Sequence, residues 1–127
     1  VVAAPEPDAM REASYFVERL RSENMPLGGL IVNRVQAIDV EIMTAETALA
    51  AAERLTHDAG DEVLTARLLE LHADRLRIRE RQQHITERFT GAHPGVAVAQ
   101  VPALAGDVHD MTGLAEIGKL LCTPRPG

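Results

Sequence analysis

Three short apolar runs divide the chain, and each is bounded by proline or glycine. They read "VVAA" at residues 1–4, "LIVN" at residues 30–33 and "GVAVAQVP" at residues 95–102. The first two runs are apolar without alternation, which is typical of strands in a sheet that is covered on both faces. The pattern therefore predicts three strands of one sheet, of which the last stops at Pro102.

The segment between the first two runs predicts an amphipathic helix over residues 9–23. Asp8 is well placed to cap its start, and Asn24 with Pro26 should end it. Residues 1–36 then form a strand, helix, strand unit with the length of a βαβ crossover, so the strands should be parallel. The predicted buried stripe of the helix comprises Met10, Ala13, Phe16, Val17 and Leu20.

Residues 37–91 predict a helical segment. Residues 38–58 are rich in Ala, Glu and Leu, and residues 62–90 contain no Gly or Pro. The second stretch fits either one long helix ending at Gly91 or two helices that bend near its arginine-rich middle, and it should pair with the first as an antiparallel hairpin. Its predicted stripe is Leu64, Leu68, Leu71, Ile78, Ile85 and Phe89.

Residues 96–122 predict the third strand and a final helix. Asp107 and Asp110 fit a turn and a helix cap, and the helix should run from Met111 to Cys122. The side chains expected to face inward are Leu114, Ile117, Leu120 and Leu121. The fold class that follows is α/β, a parallel sheet flanked by helices.

Charge and composition exclude several functions. The formal charge of the 127 residues is -6, so nonspecific attraction to nucleic acid or to an anionic membrane is not expected. Tyr15, Phe16 and Phe89 are the aromatic residues, too few for a platform that stacks single-stranded bases. The single cysteine, Cys122, cannot form an internal disulfide and fits a reducing compartment, so we expect a cytoplasmic protein.

Candidate chemistry lies at the strand ends, because ligands of open α/β sheets sit beyond the carboxyl ends of the strands. Asn33 and Arg34 follow the second strand, and Pro102 ends the third. An Asn amide offers donors and an acceptor that match the edge of adenine, and Pro102 with the apolar loop after it could lie against the ring. The residues alone leave a second interpretation open, in which Asn33 merely closes the strand with an Asx-turn.

The order of these pieces resembles the C-terminal part of the anion-transporting ATPases. The stretches that carry the resemblance are "VVAAPEPDAMREASYFVERLRSENMPLGGLIVNRV" and "VPALAGDVHDMTGLAEIGKLL". The family includes the arsenite-pump ATPase and the ATPase that delivers tail-anchored membrane proteins, and the chain is most similar to its actinobacterial, ArsA-like branch. The resemblance implies a SIMIBI-type P-loop NTPase fold with a long helical hairpin insertion. Residues 1–127 would then be a C-terminal fragment of one ATPase domain.

The resemblance also implies a site and a ligand, ATP. Asn33 would help to recognise adenine, and Pro102 with Ala103 would form the wall of the same pocket. Arg34 could stack on the base or approach a phosphate, although a surface salt bridge is an equally good interpretation. The chain has no Gly-rich loop ending in Gly-Lys-Ser/Thr, and Lys119 is its single lysine. We therefore expect no catalytic residue here, with ATP hydrolysis and the ligands of Mg²⁺ supplied by residues outside this sequence.

Metal and partner expectations complete the sequence-based picture. The tail-anchored-protein ATPase carries a Cys-x-x-Cys pair before the helix that matches residues 73–90, whereas this chain has no cysteine there. His72 and His84 lie about 120° apart around a straight helix, so they cannot share one zinc ion. The resemblance implies a homo- or heterodimer with another such subunit and a membrane-linked partner. The alternative is a noncatalytic assembly subunit that docks through residues 62–90.

Overall fold

The alternation of strands and helices is borne out in a computed structural model, which describes residues 1–38, 43–57, 62–104 and 106–122. Two compact units contain these residues, the first formed by Val1–Val35 with Gln82–Gly127 and the second by Gln36–Arg81. In chain order the elements are β1 (Val2–Ala3), α1 (Pro7–Ser22), β2 (Leu30–Val35), α2 (Ala45–His57), α3 (Val63–Ala92), β3 (Val98–Pro102) and α4 (Met111–Cys122).

The three strands form one parallel sheet in the order β1-β2-β3. β2 is the central strand, where Ile31 lies opposite Val2 on one side and Ala99 on the other. The predicted α/β class with a parallel sheet is therefore confirmed. Leu30 and Val32 of β2 are fully buried in one core cluster with side chains of α1, whereas Ile31, on the opposite face of the strand, is half-buried.

Helix α1 packs on the sheet through three side chains of its predicted stripe. Met10, Ala13 and Val17 are buried in the same core cluster as Leu30 and Val32. This cluster is the core of the first unit, and it holds α1 against the strands that carry the candidate site.

Two details predicted for α1 are wrong. The helix begins at Pro7 after an N-cap at Glu6, so Asp8 lies in the first turn, where it pairs with Arg11 at 2.9 Å. Proline suits the first helical position, because the amide hydrogen that it lacks would have no partner there. Phe16 is 51% exposed. Consecutive side chains of an α-helix are about 100° apart around its axis. When Val17 faces the core, the preceding side chain, Phe16, therefore lies at the edge of the buried face.

The end of α1 agrees with the prediction and has a clear mechanism. Asn24 adopts a left-handed backbone with φ of 54°. Its amide donates to the carbonyl of Arg21 at 3.1 Å, and the amide of Met25 donates to the carbonyl of Leu20 at 2.9 Å. These two bonds form a Schellman motif, which satisfies carbonyls of the last helical turn and releases the chain toward β2.

In the second unit, α2 and α3 pack through small side chains. Ala45 and Ala48 of α2 form one buried cluster with Ala73 and Leu76 of α3. The start of α2 is capped by Thr44, whose hydroxyl accepts a hydrogen bond from the amide of Thr47 at 3.2 Å. The packing of these helices agrees with the predicted pairing, and their antiparallel direction stays a prediction.

The first turn of α2 also changes the acidity of one carboxyl. The pKa of Glu46 is lowered, chiefly because its own backbone amide donates a hydrogen bond to the carboxylate and secondarily because Thr44 does so. Because its pKa is lowered, this carboxyl stabilises the folded state at pH values above its ordinary pKa of 4.5. That contribution disappears as the pH falls through the lowered pKa.

Helix α3 is one continuous helix of 30 residues, which decides between the two predictions for this stretch. Gly91 was predicted to end it and instead lies in its last turn, ahead of Pro94. The predicted stripe is correct for Phe89, which is 3% exposed, and wrong for the leucines of the second unit. Leu64, Leu68 and Leu71 are 71%, 56% and 49% exposed, because α2 packs on the opposite, alanine-bearing face.

Helix α4 begins and ends where it was predicted. The carboxylate of Asp110 accepts a hydrogen bond from the amide of Gly113 at 2.8 Å, which confirms it as the cap. Two of the four predicted inward side chains are wrong, since Leu114 is 55% and Leu121 is 38% exposed. Helix α4 lies against β3, an edge strand of this sheet, which covers only part of the helix surface.

The entry into β2 yields a direct test of the packing between strands. A Cβ placed on Gly29 would lie 2.7 Å from the carbonyl oxygen of Ala97, which accepts the hydrogen bond of the Leu30 amide. We expect Gly29→Ala to lower the free energy of unfolding by about 1–3 kcal/mol, as overpacking does. Chemical denaturation measures the change. Gly28→Ala is the matched control, because a Cβ there meets nothing within 4 Å. Equal stabilities of the two variants would contradict the close approach of Gly29 to the Ala97 carbonyl.

Candidate functional site

An extra residue in β2 shapes the candidate site. Val32 lies opposite Gln100 and Val35 lies opposite Pro102, so β2 has two residues between these pairs where β3 has one. This is a β-bulge, a feature that bends a strand and re-aims its side chains. The two residues in the bulge are Asn33 and Arg34. The prediction that the strand ends at Asn33 is therefore wrong by two residues, since it continues to Val35.

The backbone of the bulge is strained. Arg34 has φ of 60°, in the left-handed region that side chains with a Cβ rarely adopt. Its amide donates a hydrogen bond to the side-chain oxygen of Asn33 at 2.9 Å. That bond fixes which end of the Asn33 amide carries the oxygen, and it leaves the second lone pair of the oxygen and both hydrogens of the nitrogen for a ligand. Strain of this kind is often found where a side chain is held for function.

The predicted site residues come together at one cleft of about 590 Å³. It opens beyond the carboxyl ends of β2 and β3, where the loop after β3 and helix α4 complete its wall. Asn33, Arg34, Pro102 and Ala103 all line it. The structure thus places these residues side by side, and their role in binding adenine stays a prediction. The other lining residues are Val101, Leu104, Gly106, Asp107, Val108, His109 and Ile117.

Backbone pairing holds the two sides of the cleft in register. The amide of Ala103 donates to the carbonyl of Val35 at 2.8 Å, just past the bulge. Val101 and Val35 are buried beside this contact, so the floor of the cleft is continuous with the core. Asn33 is half-buried and Ala103 is exposed, as expected for residues at the rim.

An ion pair connects the two walls of the cleft. The guanidinium of Arg34 lies 3.5 Å from the carboxylate of Asp107, in the loop after β3. Both side chains are more than 70% exposed, so this pair contributes little to stability. The sequence predicts a turn at Asp107 and leaves a salt bridge open for Arg34, but local patterns do not indicate a pairing between residues so distant in the chain.

The described residues offer no metal centre. Among residues 1–38, 43–57, 62–104 and 106–122, no three His, Cys, Asp or Glu side chains lie where they could hold a metal ion. His109 lines the cleft, whereas His93 is buried beside Phe89, with ring centroids 4.7 Å apart. The polar side chains of the cleft are therefore an amide, a guanidinium, a carboxylate and an imidazole, next to apolar walls.

Comparison with models of protein families and with curated proteins finds no match to this chain. None of the helices formed by the described residues contains an apolar stretch that could span a lipid bilayer.

The strain in the bulge can be measured with a pair of substitutions at Arg34. Arg34→Gly and Arg34→Ala both remove the guanidinium, but glycine adopts a positive φ without the cost of about 1–2 kcal/mol that a Cβ incurs. We expect the glycine variant to be the more stable of the two by about 1 kcal/mol in chemical denaturation.

The same pair of substitutions at Gln100, a β3 residue with negative φ, is the control. There the alanine variant should be the more stable, because glycine weakens an ordinary strand. If alanine is also favoured at position 34, the bulge is not strained.

Proposed function

We propose that this chain forms the adenine-binding part of an ATP-hydrolysing enzyme of the anion-transporting ATPase family. One observation carries the proposal. The bulge in β2 holds the Asn33 amide in a cleft at the carboxyl ends of parallel strands, next to Pro102 and Ala103. This is the edge where α/β folds bind ligands. The resemblance of the sequence to the C-terminal part of a SIMIBI-type ATPase agrees with that placement.

The hydrogen-bonding capacity of Asn33 suits adenine. The free nitrogen hydrogens can donate to a ring nitrogen of the base, and the free lone pair of the oxygen can accept from its amino group. Guanine presents an oxygen acceptor in place of the amino donor, so the same amide would meet it with the wrong polarity. Pro102 and Ala103 supply the apolar wall that a planar ring needs.

Arg34 has two roles available in this proposal. Its guanidinium can stack on the face of the base, or it can meet a phosphate group. In either case the contact would replace the weak pair with Asp107 across the cleft. The strained backbone at Arg34 supports a functional role for this position.

The remaining parts of the proposal rest on the resemblance alone. Hydrolysis, the phosphate-binding loop and the ligands of Mg²⁺ belong to residues outside this sequence. The complete protein would be cytoplasmic, would pair with a second ATPase subunit, and would act with a membrane-linked partner in moving an anion. Nucleic acid is not a partner in this scheme.

The base-binding step can be tested on this chain because nucleosides need no phosphate-binding loop. We expect adenosine to bind more tightly than guanosine, by about tenfold, since a wrong polar partner costs roughly 1–3 kcal/mol. Asn33→Ala should remove that preference without unfolding the chain. Titration monitored by ¹⁵N–¹H correlation spectra gives both affinities, and circular dichroism checks the fold.

Gln83→Ala is the matched control, because it removes an amide from α3 whose partner is Glu87, away from the cleft. It should leave both affinities unchanged. Equal binding of the two nucleosides by the unaltered chain, or a preference that survives in Asn33→Ala, would rule out the proposed role of Asn33.

A second candidate function is a noncatalytic assembly subunit or docking module. The exposed leucines of α3 favour it, because Leu64, Leu68 and Leu71 recur at the spacing of one helical stripe and remain open to solvent. Large apolar side chains clustered in this way commonly mark an interaction surface. In this alternative the chain would pair with an intact ATPase subunit or with another copy of itself.

Substitution of Leu68 tests the version of this alternative in which copies self-associate. We expect Leu68→Gln to weaken self-association at least about tenfold while stability changes by no more than about 0.5 kcal/mol, since an exposed side chain contributes little to folding. Sedimentation equilibrium measures the association. Leu76→Gln, at a buried position, should instead destabilise the unit. A chain that stays monomeric before any substitution would remove the homodimeric form of this candidate.

A further inference from the structure

A second cleft, of about 380 Å³, lies between α1 and the last turns of α3 in the first unit. It shares no lining residue with the cleft at the strand ends. Its lining positions are 7, 10, 11 and 14 on α1 and 85, 88, 89 and 92 on α3. Both sets follow the i, i+3, i+4, i+7 spacing of one helix face, so the cleft is a groove between two facing helices.

The floor of the groove is apolar and belongs to the core. Met10 and Phe89 are 4% and 3% exposed, and both are members of the main core cluster. Ile85 packs against the same cluster and is half-buried. The floor is therefore preformed, as the walls of small-molecule sites usually are.

Two polar side chains line this apolar floor, one from each helix. Arg88 is exposed and Ser14 is half-buried, and within the described residues neither the guanidinium nor the hydroxyl makes an ion pair or a hydrogen bond. Arg11, the other arginine of the groove, forms an exposed ion pair with Asp8 at 2.9 Å. The lining contains no Asp or Glu, so its charge favours an acceptor that carries negative charge.

We propose that this groove binds an amphipathic monocarboxylate. The carboxylate would accept two parallel hydrogen bonds from the fork of Arg88 and one from the hydroxyl of Ser14, and the apolar body would lie on Met10, Ile85 and Phe89. A planar carboxylate matches the guanidinium fork in shape as well as in charge. The groove has the size of a small-molecule site, whose usual range begins at about 300 Å³.

This inference does not depend on the proposed function, because the two clefts have no residue in common. Titration with decanoate below its micelle-forming concentration tests it. We expect saturable changes in the ¹⁵N–¹H signals of Ser14 and Arg88, and no displacement of decanoate by adenosine. Decanol, which has the same apolar body and no charge, should bind at least about tenfold more weakly, as the loss of charge-assisted hydrogen bonds predicts.

Arg88→Gln should weaken decanoate binding at least about tenfold. Arg81→Gln is the matched control, because it removes the same charge from the same helix outside the groove, and it should leave the affinity for decanoate unchanged. Absence of decanoate binding, equal binding of decanol, or an unchanged affinity in Arg88→Gln would overturn the proposal. If circular dichroism shows that Arg88→Gln does not fold, methyl decanoate on the unaltered chain replaces it. The ester should bind at least about tenfold more weakly than the acid, and equal binding would overturn the site.

Discussion

The parallel pairing of β2 with both of its neighbours is the constraint on which the first unit depends. β2 supplies Leu30 and Val32 to the core, and α1 packs on it through Met10, Ala13 and Val17. The pairing with β3 contains one extra residue, which brings Val32 and Val35 to the same buried face. Burial of a valine side chain contributes about 1.5–3 kcal/mol, more than the roughly 1–2 kcal/mol that a left-handed residue costs. The strain at Arg34 is therefore tolerated.

The bulge also explains why the candidate site lies where it does. Keeping Val35 in the core forces Asn33 and Arg34 out of the regular alternation of the strand and toward the open end of the sheet. There they meet the loop after β3, whose position is fixed by the pairing of Ala103 with the carbonyl of Val35. A single irregularity in the ladder thus couples the stability of the core to the geometry of the cleft.

Much of the fold could be predicted from local patterns. Continuous apolar runs predicted the parallel strands, and the absence of Gly and Pro from residues 62–90 predicted the long helix α3. Which face of a helix is buried could not be predicted in the same way. Both faces of α3 in the second unit carry apolar residues, and the choice between Leu68 and Ala73 depends on the small side chains of α2, which are distant in the sequence. The exposed Phe16 has a different cause, because it adjoins Val17 on a helix that buries only a narrow stripe.

The candidate site was predictable to a similar extent. Asn33, Arg34, Pro102 and Ala103 were identified because strand ends are marked in the sequence, and the structure gathers them at one cleft. The bulge was not predictable, because it arises from register between strands that are far apart in the chain. The pairing of Arg34 with Asp107 was missed for the same reason.

In the proposed site the side-chain amide of Asn33 contacts the edge of adenine. Intermolecular nuclear Overhauser effects between adenosine and the ¹³C,¹⁵N-labelled chain measure this contact. We expect cross-peaks from the Asn33 side-chain amide hydrogens to a ring hydrogen of the base, together with cross-peaks from the Pro102 carbon-bound hydrogens to the ring. Bound adenosine whose base protons contact residues elsewhere and show no cross-peak to Asn33 would overturn this assignment.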